Sequence, residues 1–207
     1  MLVGEGHDWS EGEERAWDVL AGLDPQDVSH RAQVVYDESL GGYILPLFNR
    51  ELSIRPGERR ISGNSPEANL LLEQLCDYTT LSILWYLIQA KDEPFSGSLV
   101  NPSHTGEGRM FFAGAHVLPL DRIVRRYGND ARGFLHKGFE FGGEQLDFGD
   151  ASLMLFPFPR VPVVLLLWTG DEEFPARADL LFDATCSVHL PMDILWATAM
   201  MSLLVML

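Results

Sequence analysis

Eight consecutive residues, Val161 to Trp168 (VPVVLLLW), constrain the fold more than any other stretch. They are apolar without alternation and lie between the turn-forming FPFPR and TGDEE. A run this short, rich in valine and leucine, reads as a β-strand buried on both faces, because a strand with one wet face alternates. The preceding segment Ala151–Phe156 is also strand-like, and only Pro157 to Arg160 separates the two. A link that short predicts an antiparallel hairpin. Gln145–Phe148 and Leu180–Phe182 are expected to extend the same sheet.

Two apolar helices complete the expected core. Ser65-Pro66 opens a segment running to about Lys91, with Leu70, Leu71, Leu75, Tyr78, Leu81, Leu84, Trp85 and Ile88 covering more than one stripe of a helix. Pro191 opens a second, running to Leu207. Nearer the start, Ser10 and Glu13 fit a capping box ahead of a helix over 11–23. Asp24-Pro25 caps a short one to about Arg31. Gln33–Asp37, Gly42–Phe48 and Glu51–Arg55 then read as an antiparallel meander, with Pro46 suited to an edge or a bulge. The fold class is therefore α+β: an antiparallel sheet centred on 161–168 and packed against helices over about 66–91 and 191–207. With 207 residues and no repeat, a single domain over 10–207 behind a flexible 1–9 is expected.

The charge balance excludes some functions. Fifteen basic residues against 30 acidic ones give a net charge of −15. Nucleic acids and anionic lipid surfaces both draw their affinity from cationic protein groups, so neither is expected as a partner. The start, MLVGEGHDWSEGEE, has no basic region followed by an apolar one and so does not read as a signal peptide. The longest apolar run, Ile194–Leu207, is shorter than the ~20 residues that cross a bilayer. A cytoplasmic protein is the expectation. Cys76 and Cys186, both in apolar sequence surroundings, are expected to be buried, reduced thiols.

Few chemical motifs stand out. There is no G-x-S-x-G elbow and no phosphate-binding glycine loop. Asp171, Glu172 and Glu173 follow the buried strand, with Asp183 and His189 downstream. Clustered carboxylates with an imidazole could hold a metal or perform acid–base work, although three consecutive acids cannot all face one point. A solvated, capped turn is the competing reading. The FPFPR turn could instead present Phe158 and Arg160 as an apolar pocket with a cationic anchor. A rigid turn with Arg160 paired to one of the acids after Trp168 is the structural alternative. Asp92–Arg109 is the most Gly/Ser/Pro-rich stretch, and a loop of that length is commonly functional or mobile. It contains His104, with His116 soon after; one histidine suffices as an axial ligand to a tetrapyrrole.

Several stretches taken together resemble an uncharacterised family, a domain of unknown function of anaerobic bacteria and methanogenic archaea. They are LDPQDVSHRAQVVYD, YILPLF, GFEFGGEQLDFGDASLMLF and FPRVPVVLLLWTGDEEFPARADLLFD. The resemblance covers about Trp17 to the C-terminus, and RVPVVLLLWTGDEEFP is its most specific part. The central SLVNPSHTGEGRMFF is more polar than the family pattern. The resemblance implies a setting in anaerobic metabolism and carries no established activity.

The resulting expectation is a non-catalytic ligand-binding or accessory protein. Its ligand would be a small molecule or a corrinoid or haem cofactor held near His104, His116, Phe158, Arg160 and Trp168. Two alternatives compete with it. One is a metal-assisted enzyme using Asp171, Glu172, Glu173, Asp183 and His189. The other is an interaction subunit that forms a homo-oligomer or partner seam through the apolar C-terminal helix.

Overall fold

A computed structural model of the chain describes residues 10–102, 112 and 116–207. In chain order its helices are α1 (Ser10–Ala21), α2 (Pro25–Ala32), α3 (Pro66–Gln74), α4 (Cys76–Gln89), α5 (Leu120–Tyr127), α6 (Ala131–Phe139), α7 (Cys186–His189) and α8 (Met192–Val205). Its strands are β1 (Val35–Asp37), β2 (Gly42–Leu47), β3 (Arg50–Arg55), β4 (Arg60–Gly63), β5 (Leu99–Val100), β6 (Glu144–Leu146), β7 (Ala151–Phe158), β8 (Val161–Trp168) and β9 (Arg177–Asp183). They form two antiparallel sheets, β1-β2-β3-β4 and β5-β9-β8-β7-β6.

The fold is α+β, and β8 is the central strand of the larger sheet. Every residue from Val161 to Leu167 is buried. Neither face of β8 meets water, which is why its sequence does not alternate. Flanked by β7 and β9, it has no free edge. The two sheets are joined where the Phe48 N–H donates to the Phe156 carbonyl at 3.1 Å. One continuous hydrophobic cluster includes residues of both sheets, α1, α4 and α8.

Several expected elements take a different form. The long helix over 66–91 is interrupted at Leu75 (φ −106°, ψ 12°). No proline or glycine causes the break. Thr79 Oγ1 bonds back to the Leu75 carbonyl at 3.2 Å, and the Tyr78 N–H takes the same carbonyl at 2.9 Å in a tighter turn. Back-bonding of this kind bends helices. The break leaves Cys76 exposed, which corrects the expectation that both thiols are buried; both cysteines are free. The meander has a fourth strand, β4, after the Pro56–Glu58 turn. Pro46 lies in an inner strand, but β1 pairs only with Gly42 to Ile44. The β1 side of Pro46 is thus unpaired, and the missing N–H costs no ladder bond. The start of the chain before Ser10 and residues 103–111 lie outside the described residues.

α8 is buried within the chain. Ile194, Leu195, Ala199, Met201, Leu203 and Val205 all belong to the core, and Thr198 and Ser202 bond back to Ile194 and Thr198 carbonyls. This corrects the reason for expecting an oligomer seam there, because the core itself accounts for the helix's apolar sequence. No helix among the described residues is long and apolar enough to cross a membrane.

Candidate functional site

β8 separates the sequence-predicted site residues into two groups. Its eight residues, at about 3.3 Å each, place Arg160 and Trp168 roughly 25 Å apart. Antiparallel pairing with β9 puts Arg177 beside Trp168 and Phe182 beside Val163. Asp171, Glu172 and Glu173 therefore belong to the Trp168 end, while Asp183 and His189 belong to the Arg160 end. The expected pocket uniting Phe158, Arg160 and Trp168 does not form, and neither does a site uniting all four acids with His189. Among the described residues no group of three or more His, Cys, Asp or Glu could hold a metal ion.

The Arg160 end is packed, and its charged groups bond one another and the backbone. β7 continues through Phe158, leaving Pro159-Arg160 as a two-residue turn. Phe158 is fully buried and stacks on Tyr86 with centroids 4.6 Å apart. Such a pair is worth about 0.5–1.5 kcal/mol beyond its buried area. The Tyr86 hydroxyl donates to the Ala32 carbonyl at 2.7 Å and accepts the Arg160 N–H at 3.2 Å. Burial raises its pKa well above the ordinary tyrosine range. The Arg160 side chain, 5% exposed, folds inward: Nε donates to the Arg31 carbonyl at 2.6 Å and Nη2 to Asp92 Oδ1 at 2.5 Å. Arg31 in turn bonds the Ala90 carbonyl and Asp27. The expected pairing of Arg160 with an acid after Trp168 is corrected: those acids lie at the far end of β8, and the partner is Asp92.

Asp183 and His189 complete this end. Asp183 is 2% exposed, at the end of β9, and accepts from Ser96 N, Ser96 Oγ, Gly97 N, Thr185 N and Thr185 Oγ1 at 2.6–3.0 Å through Oδ1 or Oδ2. Burial opposes its charge, but these donors outweigh burial and hold its pKa below the usual carboxylate value. His189 is fully buried, and its Nδ1 accepts the Lys91 N–H at 3.3 Å. Burial, reinforced by nearby Arg160, lowers its pKa. Cys186 is buried, with its thiol 3.7 Å from the Pro162 carbonyl. Burial and the Asp183 charge push that thiol up to about 12, so it is no nucleophile at neutral pH.

The Trp168 end is open. Asp171 Oδ1 accepts from Glu173 N at 2.8 Å and Phe174 N at 2.7 Å, and the Asp171 N–H donates to the Phe174 carbonyl at 2.9 Å. This is the capped, solvated turn. Glu172 and Glu173 are exposed. Asp150 accepts from Thr169 N and Oγ1, and the backbone bond leads in lowering its pKa. The Arg177 guanidinium lies 3.9 Å from the Trp168 ring centroid, occupying the face that a ligand would stack upon. His116 lies elsewhere, with its ring edge-on to Trp196 at 5.2 Å and its carbonyl accepting Trp196 Nε1 at 2.9 Å. His104 lies outside the described residues.

A cleft of about 400 Å³ opens beside the acidic turn, lined by Val124, Arg125, Arg126, Gly128, Asn129, Asp130, Gly170 and Ala176. Among its lining residues, Gly128 has no room for a side chain: a Cβ would come within 2.6 Å of the Val124 carbonyl and 2.9 Å of the Ala176 Cβ. The absence of that Cβ lets the Gly170 N–H reach the Gly128 carbonyl at 3.0 Å, joining α5 to the turn after β8. Arg125 is exposed and paired with Asp121 one helical turn back; Arg126 bonds the Leu207 carbonyl. Asp130 caps α6 at the Gly133 N–H. This cleft was not singled out from the sequence. The signal was faint: RRYGND, two arginines and a glycine at the junction of two short helices.

An α+β domain of two antiparallel sheets, with a buried polar end and a polar cleft, is the class that fold and geometry define. The chain belongs to the family described as Domain of unknown function (DUF3786), whose model matches residues 24–204. No curated protein and no solved structure matched the chain.

Proposed function

We propose that the chain is a non-catalytic binding module that holds a small anionic ligand in the cleft between α5, the start of α6 and the turn after β8. The observation that carries this reading is the cleft itself, lined by Arg125 and Arg126 together with Gly128 and Gly170, which bond each other. In a chain of net charge −15, two adjacent arginines lining a concavity offer an anion two guanidinium groups, set against Asp130 on the same lining. Arg125 is held only by an exposed partner, and such pairs are worth at most about 1 kcal/mol, so a carboxylate or phosphate could take over its guanidinium.

A setting in anaerobic metabolism rests on the family resemblance. Among ligands, the cleft favours a small polar anion over a corrinoid or haem, because no imidazole lines it and its walls carry charged groups. Thermal unfolding of wild type and Arg125→Glu with inorganic phosphate, citrate, haemin and cobalamin tests the reading. The expectation is a concentration-dependent rise in Tm with phosphate or citrate, absent in the variant; a ligand at a hundredfold excess over Kd stabilises by about 2.7 kcal/mol. No rise with either anion, or a visible-band shift with haemin or cobalamin that Arg125→Glu leaves intact, would contradict it.

A further inference from the structure

The segment from Lys91 to Ser98 forms no helix or strand and is exposed along its length, yet it crosses the Arg160 end of the larger sheet. Three ionisable side chains, each buried, fasten it there. His189 of α7 accepts the Lys91 N–H through Nδ1 at 3.3 Å. Arg160, in the turn before β8, holds Asp92 at 2.5 Å. Asp183 of β9 accepts from Ser96 N at 2.9 Å and Gly97 N at 2.6 Å. Gly97 has φ +77°, a left-handed conformation in which glycine meets both the turn and the Asp183 contact without strain. Between these anchors Phe95 packs against Phe156 at 6.4 Å.

The His189 contact exists in one protonation state. Because Nδ1 accepts, the proton of the neutral ring is on Nε2, and that atom is buried without a hydrogen-bond partner among the described residues. A second proton must go to Nδ1, where it would meet the Lys91 N–H donor to donor. The groups facing the ring divide in sign. Arg160 opposes a positive imidazole, while Glu93 of the strap and Asp183 of β9 favour one. Burial, the largest influence, acts with Arg160 against the charge. Neither residue is placed to serve a metal. Nδ1 is taken by Lys91, and the Asp183 oxygens are taken by five donor contacts.

We propose that Lys91–Gly97 is an acid-released strap, in which protonation of His189 frees the Lys91 end while Asp183 keeps the Gly97 end fastened. The two anchors respond to a proton differently: one on Nδ1 removes the Lys91 acceptor, whereas the donors around Asp183 hold its pKa below the usual carboxylate value and keep it charged. With the Lys91 end free, Asp92 still holds the first half of the strap, through Arg160 at 2.5 Å and His30 at 3.7 Å. Its movement would uncover Phe156 and the imidazole itself.

Amide hydrogen exchange of wild type and His189→Gln, each corrected for intrinsic rates at about pH 7.5 and about pH 5.5, tests this. The glutamine retains an acceptor for Lys91 but does not titrate. In the wild type the Lys91 amide is expected to lose about tenfold protection in acid, while Gly97 holds. In the variant neither amide should change. Equal loosening of Lys91 and Gly97, an unchanged Lys91, or the same loss in His189→Gln would overturn the strap. Should the variant not fold, the imidazole nitrogens of the wild type decide by NMR. An unprotonated Nδ1 at neutral pH that titrates together with Lys91 exchange supports the strap, and an Nδ1–H tautomer at neutral pH overturns it.

Discussion

The two ends of β8 lie in one sheet, yet they use charge in opposite ways. At the Arg160 end, charged side chains turn inward and saturate one another and the backbone: Arg160 with Asp92 and the Arg31 carbonyl, and Asp183 with Ser96, Gly97 and Thr185. At the Trp168 end the carboxylates cap their own exposed turns, and arginines rim a cleft. A buried charge must be satisfied by fixed donors or acceptors or be neutralised, so the charged groups of the first end are committed to one another and to the backbone, and the neutral His189 is left with a buried, unpartnered Nε2. The second is held by weak, exposed contacts and can exchange them. Proximity of acids in sequence therefore says little about chemistry; direction relative to the sheet decides.

Equivalent substitutions at the two ends should separate sharply. Asp183→Ala, which strands five donor contacts around a buried site, is expected to lose about 3 kcal/mol in urea unfolding. Asp171→Ala, which strips only an exposed turn of its cap, should lose about 1 kcal/mol or less. Equal losses would break the comparison. Next in size is Arg160→Met, which keeps the aliphatic stem but leaves the Arg31 carbonyl without its donor. A loss of about 2 kcal/mol is expected, limited because Asp92 is 58% exposed and stays hydrated. Arg177→Met, which removes a cation over the Trp168 face, should cost only about 0.5–1 kcal/mol.

Acid sharpens the contrast further. The folded-state pKa of His189 is depressed, so the unfolded chain takes up the proton first, and stability falls with pH below about 6.5 until the folded imidazole titrates. A second loss sets in below 3.8 as the unfolded chain protonates Asp183 ahead of the folded one. Urea midpoints against pH should show the upper step in wild type and lose it in His189→Gln. The smallest effect concerns thiols. A thiol-specific chromogenic disulfide should modify Cys76 in the native protein, while Cys186 at the closed end reacts only on unfolding. Cys76→Ser should shift stability by less than about 0.5 kcal/mol.

The architecture was more legible in the sequence than the site. The unbroken VPVVLLLW run had a single physical reading and became the central strand. The capped character of Asp171-Glu172-Glu173 was also readable, because consecutive acids cannot converge. What escaped depended on partners distant in sequence. Arg160 points inward because Tyr86, Arg31 and Asp92 wait there, and nothing local announces them, although an arginine flanked by Phe158 and Val161 was itself a hint of burial. The break at Leu75 arises from a threonine bonding backward, where helical periodicity shows no interruption. The separation of Asp183 from Asp171 follows from strand register, which no spacing along the chain reveals.

Amide chemical-shift mapping during a titration with inorganic phosphate or citrate bears most directly on this division of the molecule. Shifts should concentrate at Val124–Asp130 and Gly170–Ala176, with Lys91–Gly97 and the turn at Arg160 unmoved. Shifts centred on Arg160, Asp92 and His189, or none in the cleft, would contradict it.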